Sequence, residues 1–100
     1  DNLNYFNEIY FKNELAGFFS FYQTSIGYEI DSLFVFDKFQ NIGIGSFVIE
    51  WCINSVDCDV FLYVFKENKA FNLYKKMGFQ IVKEINNNRY LMVKKTEIKI

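Results

Sequence analysis

The sequence predicts a mixed α/β fold in which helices pack on a central, mostly antiparallel sheet. Among the 100 residues, 51% are hydrophobic and 21% are aromatic, which is enough for one dense core. Several short segments alternate apolar and polar residues, and two others carry apolar residues at helical spacing. The predicted order is β-β-β-α-β-α-β-β, in a single domain of residues 1–100 whose core spans 8–95.

The first three elements are predicted to be strands joined by hairpin turns. Residues 8–12 and 15–23 flank a short polar turn, and residues 28–36 follow a second turn that ends in a glycine. The third strand has a clear period of two, so one face is expected to carry the following residues. They are Glu29, Asp31, Leu33 and Val35.

The second half alternates helices with strands. Apolar spacing predicts a helix over 45–55, and the run 60–65 is apolar on both sides, as in a strand covered on both faces. An amphipathic helix over 68–77 ends at Gly78, and strands at 79–85 and 89–94 form a hairpin. One β-α-β crossover among hairpins predicts a mixed sheet.

Composition excludes several function classes. The net charge is −1, so no nucleic acid and no anionic membrane is expected as a partner. The longest uncharged run, 15–28, is interrupted by polar residues and is too short to span a bilayer. Two cysteines without a paired spacing predict free thiols and a cytoplasmic protein. Because the chain opens on aspartate without a leader, we expect it to have been trimmed at its start.

The chain contains no histidine, which removes the commonest metal ligand and the commonest general base. No metal is therefore predicted. Cys52 as an acyl-carrying nucleophile is disfavoured, since no histidine is available to activate its thiol.

A glycine pair stands where the third strand gives way to the first helix. The segment QNIGIG, residues 40–45, lacks the Gly-Lys-Ser/Thr triplet of a Walker loop, and Val48 replaces the third glycine of a dinucleotide loop. Backbone amides at the positive end of a helix still attract an anion, and glycine lets a phosphate approach closely. An anion site is therefore predicted here.

These residues resemble the GNAT superfamily of N-acetyltransferases. "LFVFDKFQNIGIG" matches the family's Leu-Tyr-Val strand, spacer and glycine loop without a gap, and "NLYKKMGFQ" matches a second hallmark in the following helix and turn. "NELAGFFSF" resembles the hairpin that precedes them. The resemblance covers about residues 8–95, and it implies transfer of an acetyl group from acetyl-CoA to an amine by direct attack.

The resemblance also implies roles for individual residues. Tyr74 would protonate the departing thiolate, and Glu29 would serve as general base, with Asp31 able to act in its place. The strand that begins near Val60 is expected to splay from its neighbour and free backbone amides for the cofactor. The residues expected to bind acetyl-CoA are Leu33, Phe34, Val35, Gln40, Asn41, Ile42, Gly43, Ile44, Gly45, Ser46, Asn68 and Tyr74.

Four departures from the family pattern stand out. Asn41 replaces a usual glycine, and asparagine tolerates left-handed backbone. Asp37 replaces a common proline and is expected to loosen the start of the loop. A one-residue deletion puts Glu67 at the family's asparagine position, so Asn68 as a cofactor contact is less firmly aligned. The family's first strand and first two helices have no counterpart.

Alternatives to a complete enzyme remain open. One is a truncated acetyl-CoA-binding module that lacks its own acceptor site and acts through a partner chain. The other, which the glycine pair disfavours, is an interaction domain that binds no cofactor. The missing elements would also uncover aromatic residues such as Phe6, Tyr10 and Phe11, and a homodimer is therefore predicted.

Overall fold

The computed structural model describes residues 6–96, which form a six-stranded sheet with strand order β1-β2-β3-β4-β6-β5. All neighbouring strands are antiparallel except β3 and β4. The elements in chain order confirm the predicted mixed α/β fold. They are β1 (Phe6–Phe11), β2 (Glu14–Thr24), β3 (Gly27–Val35), a 3-10 turn (Asp37–Phe39), α1 (Ile44–Asn54), β4 (Val60–Phe65), α2 (Phe71–Lys76), β5 (Gln80–Ile85) and β6 (Arg89–Lys94).

Both helices contribute to one buried cluster on a single face of the sheet. Ile49 and Cys52 of α1 and Tyr74 of α2 pack with Val60, Leu62 and other side chains of the sheet. Burial of such a cluster is the main stabilising term of a domain this small.

The opposite face of the sheet, here called the open face, is not covered by a helix within residues 6–96. Phe18 and Phe34 stack there at 5.5 Å between ring centroids. On β4, Tyr63 is 39% exposed and Phe65 57% exposed, although Phe61 beside them is buried. The prediction that 60–65 is covered on both faces is therefore wrong for the second half of that strand, because no element within residues 6–96 packs over it.

Two of the three aromatic residues expected to be uncovered are exposed on β1. Phe6 is 42% exposed and Tyr10 61% exposed, whereas Phe11 is half-buried and lies edge-on to Phe39 at 6.1 Å. The homodimer stays a prediction.

A β-bulge in β3 changes which residues share a face. Ser20 pairs with Ser32, but the next residue of β2 pairs with Ile30, so Asp31 is an extra residue in β3. Beyond the bulge the side chains change phase, and Leu33 and Val35 pack against the core. The prediction that they share a face with Glu29 is wrong, since a period of two holds only in a strand without a bulge.

The parallel strands β3 and β4 diverge soon after they meet. Their register consists of Tyr28↔Val60 and Glu29↔Phe61 alone among the described residues, although both strands continue. This divergence is the splay that the family resemblance implied, and it leaves one backbone edge of the second half of β3 facing a gap.

Helix α2 is shorter than predicted. It begins at Phe71 instead of 68, because Asn68 forms a turn of its own: its Oδ1 accepts from the Ala70 N–H at 2.8 Å and its carbonyl accepts from the Phe71 N–H at 3.1 Å. Such local bonds compete with helix and favour asparagine just before a helix start.

Replacing Gly17 with alanine is expected to destabilise the fold by about 2 kcal/mol or more. A Cβ at this position would lie 2.0 Å from the Phe34 carbonyl oxygen and 2.9 Å from the Val35 Cα, and backbone atoms cannot give way cheaply. Chemical denaturation of Gly17→Ala against wild type measures the loss.

Gly45→Ala is the matched control, since its Cβ would make an ordinary 3.5 Å contact with Leu73. Alanine is the better helix former, so this variant should be as stable as wild type or more so. Equal stability of the two alanine variants would contradict the steric account of Gly17.

Candidate acetyl-CoA site

The segment between β3 and α1 is anchored at its middle by Phe39. This residue lies at the end of the 3-10 turn, is buried, and contacts the ring of Phe11. Next to it, Lys38 forms an ion pair at 2.8 Å with Glu14, the first residue of β2. The anchor fixes where the following loop leaves the sheet.

Gln40 braces the loop through its side chain. Its Nε2 donates to the Val35 carbonyl at 2.9 Å and to Asp37 Oδ1 at 3.3 Å, and its backbone N–H donates to the Asp37 carbonyl at 3.2 Å. Asp37, which was expected to loosen this segment, therefore accepts two of these bonds. The Gln40 side chain supports the loop instead of projecting freely toward a ligand.

Two loop residues occupy the left-handed region. Asn41 has φ 65° and Gly43 has φ 91°, in line with the tolerance expected of asparagine. A Cβ at Gly43 would meet no heavy atom within 4 Å, so space within the protein does not require glycine there. The backbone conformation requires it, and the empty volume beside it is available to a ligand.

The N-terminus of α1 has unsatisfied donors. The Phe47 N–H makes the first intrahelical bond, to the Gly43 carbonyl at 3.0 Å, so the N–H groups of Ile44, Gly45 and Ser46 precede it. Gly43 provides no side-chain cap, and the first turn of α1 has no acidic residue. The positive end of an 11-residue helix is thus presented to an anion without internal compensation.

Successive backbone N–H groups of β3 point alternately toward β2 and toward the gap. The Phe36 N–H donates to the Ala16 carbonyl on β2 at 2.8 Å. In an antiparallel pair every second residue bonds to the same neighbour, so the Phe34 N–H also faces β2. The N–H groups of Leu33 and Val35 therefore face the gap. Of the three backbones predicted to contact the cofactor, these two have the required direction.

A pair of carboxylates lies on the open face, near the point where the splay begins. Glu29 is half-buried, and both burial and the charge of Asp31 raise its pKa. The hydroxyl of Tyr22 takes part in hydrogen bonding with both carboxylates. Burial, followed by the charges of Glu29 and Asp31, raises the pKa of Tyr22 to about 12.

Tyr22 was missed by sequence reasoning. It lies directly opposite Glu29 in the β2–β3 register. Its position could be found only with that register, which the bulge at Asp31 displaces by one residue.

Tyr74 is buried in α2, with its ring 6.0 Å from that of Phe79. Burial raises the pKa of its hydroxyl, so the group stays protonated at neutral pH. The preceding residue, Leu73, lies against Gly45, which puts α2 beside the glycine loop. Asn68 precedes α2, and its Oδ1 already accepts a hydrogen bond from the Ala70 N–H.

Cys52 lies in the core and is fully buried. Burial raises the pKa of its thiol to about 12, so the nucleophilic thiolate is absent at neutral pH. No group of three or more metal-ligating side chains occurs within residues 6–96. No helix in the same part of the chain is long and apolar enough to cross a membrane.

The fold and the loop together place an uncapped helix N-terminus beside a gap between two splayed strands. Residues 5–81 match the family described as "Acetyltransferase (GNAT) domain". The match spans more than half of the chain, and the chain belongs to the GNAT acetyltransferase family. No curated protein sequence matches the chain.

Solved structures share the fold at low sequence identity. PH1933 from Pyrococcus horikoshii OT3 is 24% identical with a TM-score of 0.81, over 95% of this chain and 67% of that one. PaiA N-acetyltransferase from Thermoplasma acidophilum, solved with coenzyme A, is 21% identical with a TM-score of 0.75, over 90% of this chain and 59% of that one. Arabidopsis thaliana Naa50, solved with the bisubstrate analogue CoA-Ac-MVNAL, is 24% identical with a TM-score of 0.75, over 90% of this chain and 72% of that one.

The raised pKa of Glu29 predicts that Glu29→Gln stabilises the fold at pH 7. A group whose pKa is higher in the folded state favours folding when protonated, and this contribution is lost as pH rises through the folded pKa. Near pH 7 the ionised carboxylate is therefore destabilising, and glutamine removes the charge. Thermal unfolding at pH 7 should show a higher Tm for Glu29→Gln.

The gain should shrink at about pH 3.5, where the carboxyl is protonated in both states. Glu50→Gln makes the same change at an exposed position of α1 and is the control against which the gain of Glu29→Gln is measured. An unchanged or lower Tm for Glu29→Gln at pH 7 would contradict the conclusion that the ionised Glu29 carboxylate destabilises the fold.

Proposed function

We propose that this chain transfers the acetyl group of acetyl-CoA to a primary amine by direct attack in a ternary complex. The carrying observation is the adjacency of two features: an uncapped helix N-terminus after a glycine loop, and a strand edge whose amides face a gap. The first suits the pyrophosphate of the cofactor and the second suits its pantetheine arm and thioester. The CoA-bound neighbours in the same fold support this use of the site.

The residues present fit acetyl-CoA. The N–H groups of Ile44, Gly45 and Ser46 would donate to the pyrophosphate, next to Ile42 and the open volume at Gly43. The Leu33 and Val35 amides would donate to pantetheine and to the thioester oxygen as negative charge develops on it. The Phe34 backbone would donate no hydrogen bond to the cofactor, since its N–H faces β2.

The bound cofactor supplies an activated acyl group, and the protein supplies a proton donor and a base. Tyr74 would give its proton to the leaving sulfur, and its buried hydroxyl is protonated at neutral pH. An alkylammonium has a pKa near 10, so the acceptor must lose a proton before it attacks. Glu29 would take that proton, and Asp31 would favour binding of the cationic amine by its charge.

The direction of approach supports this division of roles. Cofactor donors lie on the loop and in the gap, whereas the carboxylates lie on the open face, which no described helix covers. The acceptor would reach the thioester from that face. A neighbour solved with a CoA-peptide analogue supports an amine on a peptide as one candidate acceptor.

Gly45→Asp is expected to weaken acetyl-CoA binding at least about tenfold, because a carboxylate at the first turn of α1 repels the pyrophosphate and occupies the positive helix end. Gly45→Asn has the same size without the charge and should bind within about threefold of wild type. Calorimetric titration with acetyl-CoA measures both. Equal loss in the two variants would contradict the electrostatic assignment.

Tyr74→Phe is expected to lower kcat by about 10²-fold or more while leaving the Kd for acetyl-CoA near the wild-type value. The phenyl ring keeps the packing against Phe79 and removes the proton donor. Release of free CoA thiol is measured with a panel of alkylamines, lysine peptides and the peptide MVNAL. Wild-type kcat in Tyr74→Phe would exclude this acid, and binding without turnover of any amine would favour the predicted cofactor-binding module.

A further inference from the structure

We propose that Tyr22 is a positioning residue that orients Glu29 toward the acceptor amine. This inference rests on the proposed function for its biological meaning, but it stands on the geometry of β2 and β3. No motif of the family resemblance includes Tyr22, and its role follows from the strand register and the contacts of its hydroxyl.

The register puts the phenol directly beside the carboxylate. Tyr22 is the cross-strand partner of Glu29, and Glu29 is also the last residue of β3 that pairs with β4, through Phe61. Directly opposed side chains lie about 5 Å apart at Cβ, so the two groups share one face at the start of the splay. A side chain fixed there sets where Glu29 points as the gap opens.

The bulge brings a second carboxylate to the same phenol. Asp31 is the inserted residue of β3, and its carboxylate interacts with both Glu29 and Tyr22. The titratable groups that influence Glu29 are thus Tyr22 from β2 and Asp31 from β3, while β4 offers the uncharged Phe61 at the paired position. Two carboxylates this close repel each other, and a hydroxyl proton donated to one of them reduces that repulsion.

The phenol acts against the other influences on Glu29. Burial and Asp31 raise the pKa of Glu29, whereas the hydrogen bond from Tyr22 lowers it. The phenol itself has a pKa of about 12, so it remains a donor over the whole range in which the carboxylate titrates. Loss of the Tyr22 hydroxyl is therefore expected to raise the pKa of Glu29 further.

Tyr22→Phe tests this role, because it removes the hydroxyl and keeps the ring. Tyr10→Phe is the matched control: Tyr10 donates to Glu8 at 3.3 Å on β1, and it is exposed and away from Glu29. The readout is a ¹³C NMR pH titration of the Glu29 side-chain carboxyl, assigned by its absence in Glu29→Gln. We expect an upward displacement of the Glu29 pKa in Tyr22→Phe and none in Tyr10→Phe.

The titration needs no turnover, so it separates this inference from the proposed function. An unmoved Glu29 pKa in a folded Tyr22→Phe protein would overturn the inference even if the chain acetylates amines. In an active protein the acidic limb of kcat/KM should also move to higher pH, while the KM for acetyl-CoA stays constant. A uniform loss of kcat/KM at every pH would point to a merely structural role and overturn it as well.

Discussion

The divergence of β3 from β4 is the constraint on which the rest of the site depends. Two register pairs hold these parallel strands together, and no further pair follows Glu29 and Phe61 among the described residues. Unpaired strand amides must find partners, and here they face a gap instead of a neighbouring strand. The fold thus forgoes ladder bonds in its own sheet and gains a row of donors of fixed direction.

The glycine loop and the bulge each position groups beside the gap that this divergence opens. On the helix side, buried Phe39 and the Gln40 brace hold the loop against the end of β3, and Gly43 begins α1 without a cap. On the other side, the inserted Asp31 leaves the carboxylates on the open face while it turns Leu33 and Val35 into the core. The proposed cofactor donors and the carboxylates consequently reach the same gap from different directions.

The order of elements followed from local signals, because turns, periodicity and the terminal glycine of α2 are written within a few residues. Sequence reasoning erred where the conformation depends on the pairing of two strands. The faces of Leu33 and Val35 depend on a bulge that only the β2 register reveals, and the role proposed for Tyr22 depends on the same register. The exposure of Tyr63 and Phe65 depends on which face of the sheet the helices pack against. The glycine loop was predictable since it is a contiguous motif, whereas the directions of individual amides were not.

The most direct test of the central claim is an amide NMR titration of the chain with acetyl-CoA. If the splay and the helix N-terminus form one cofactor site, the largest shifts should fall on the N–H groups of Ile44, Gly45 and Ser46 and, together with them, on Leu33 and Val35. Phe34, whose N–H faces β2, should respond less. Saturable binding that shifts other surfaces and leaves both sets unmoved would contradict the account.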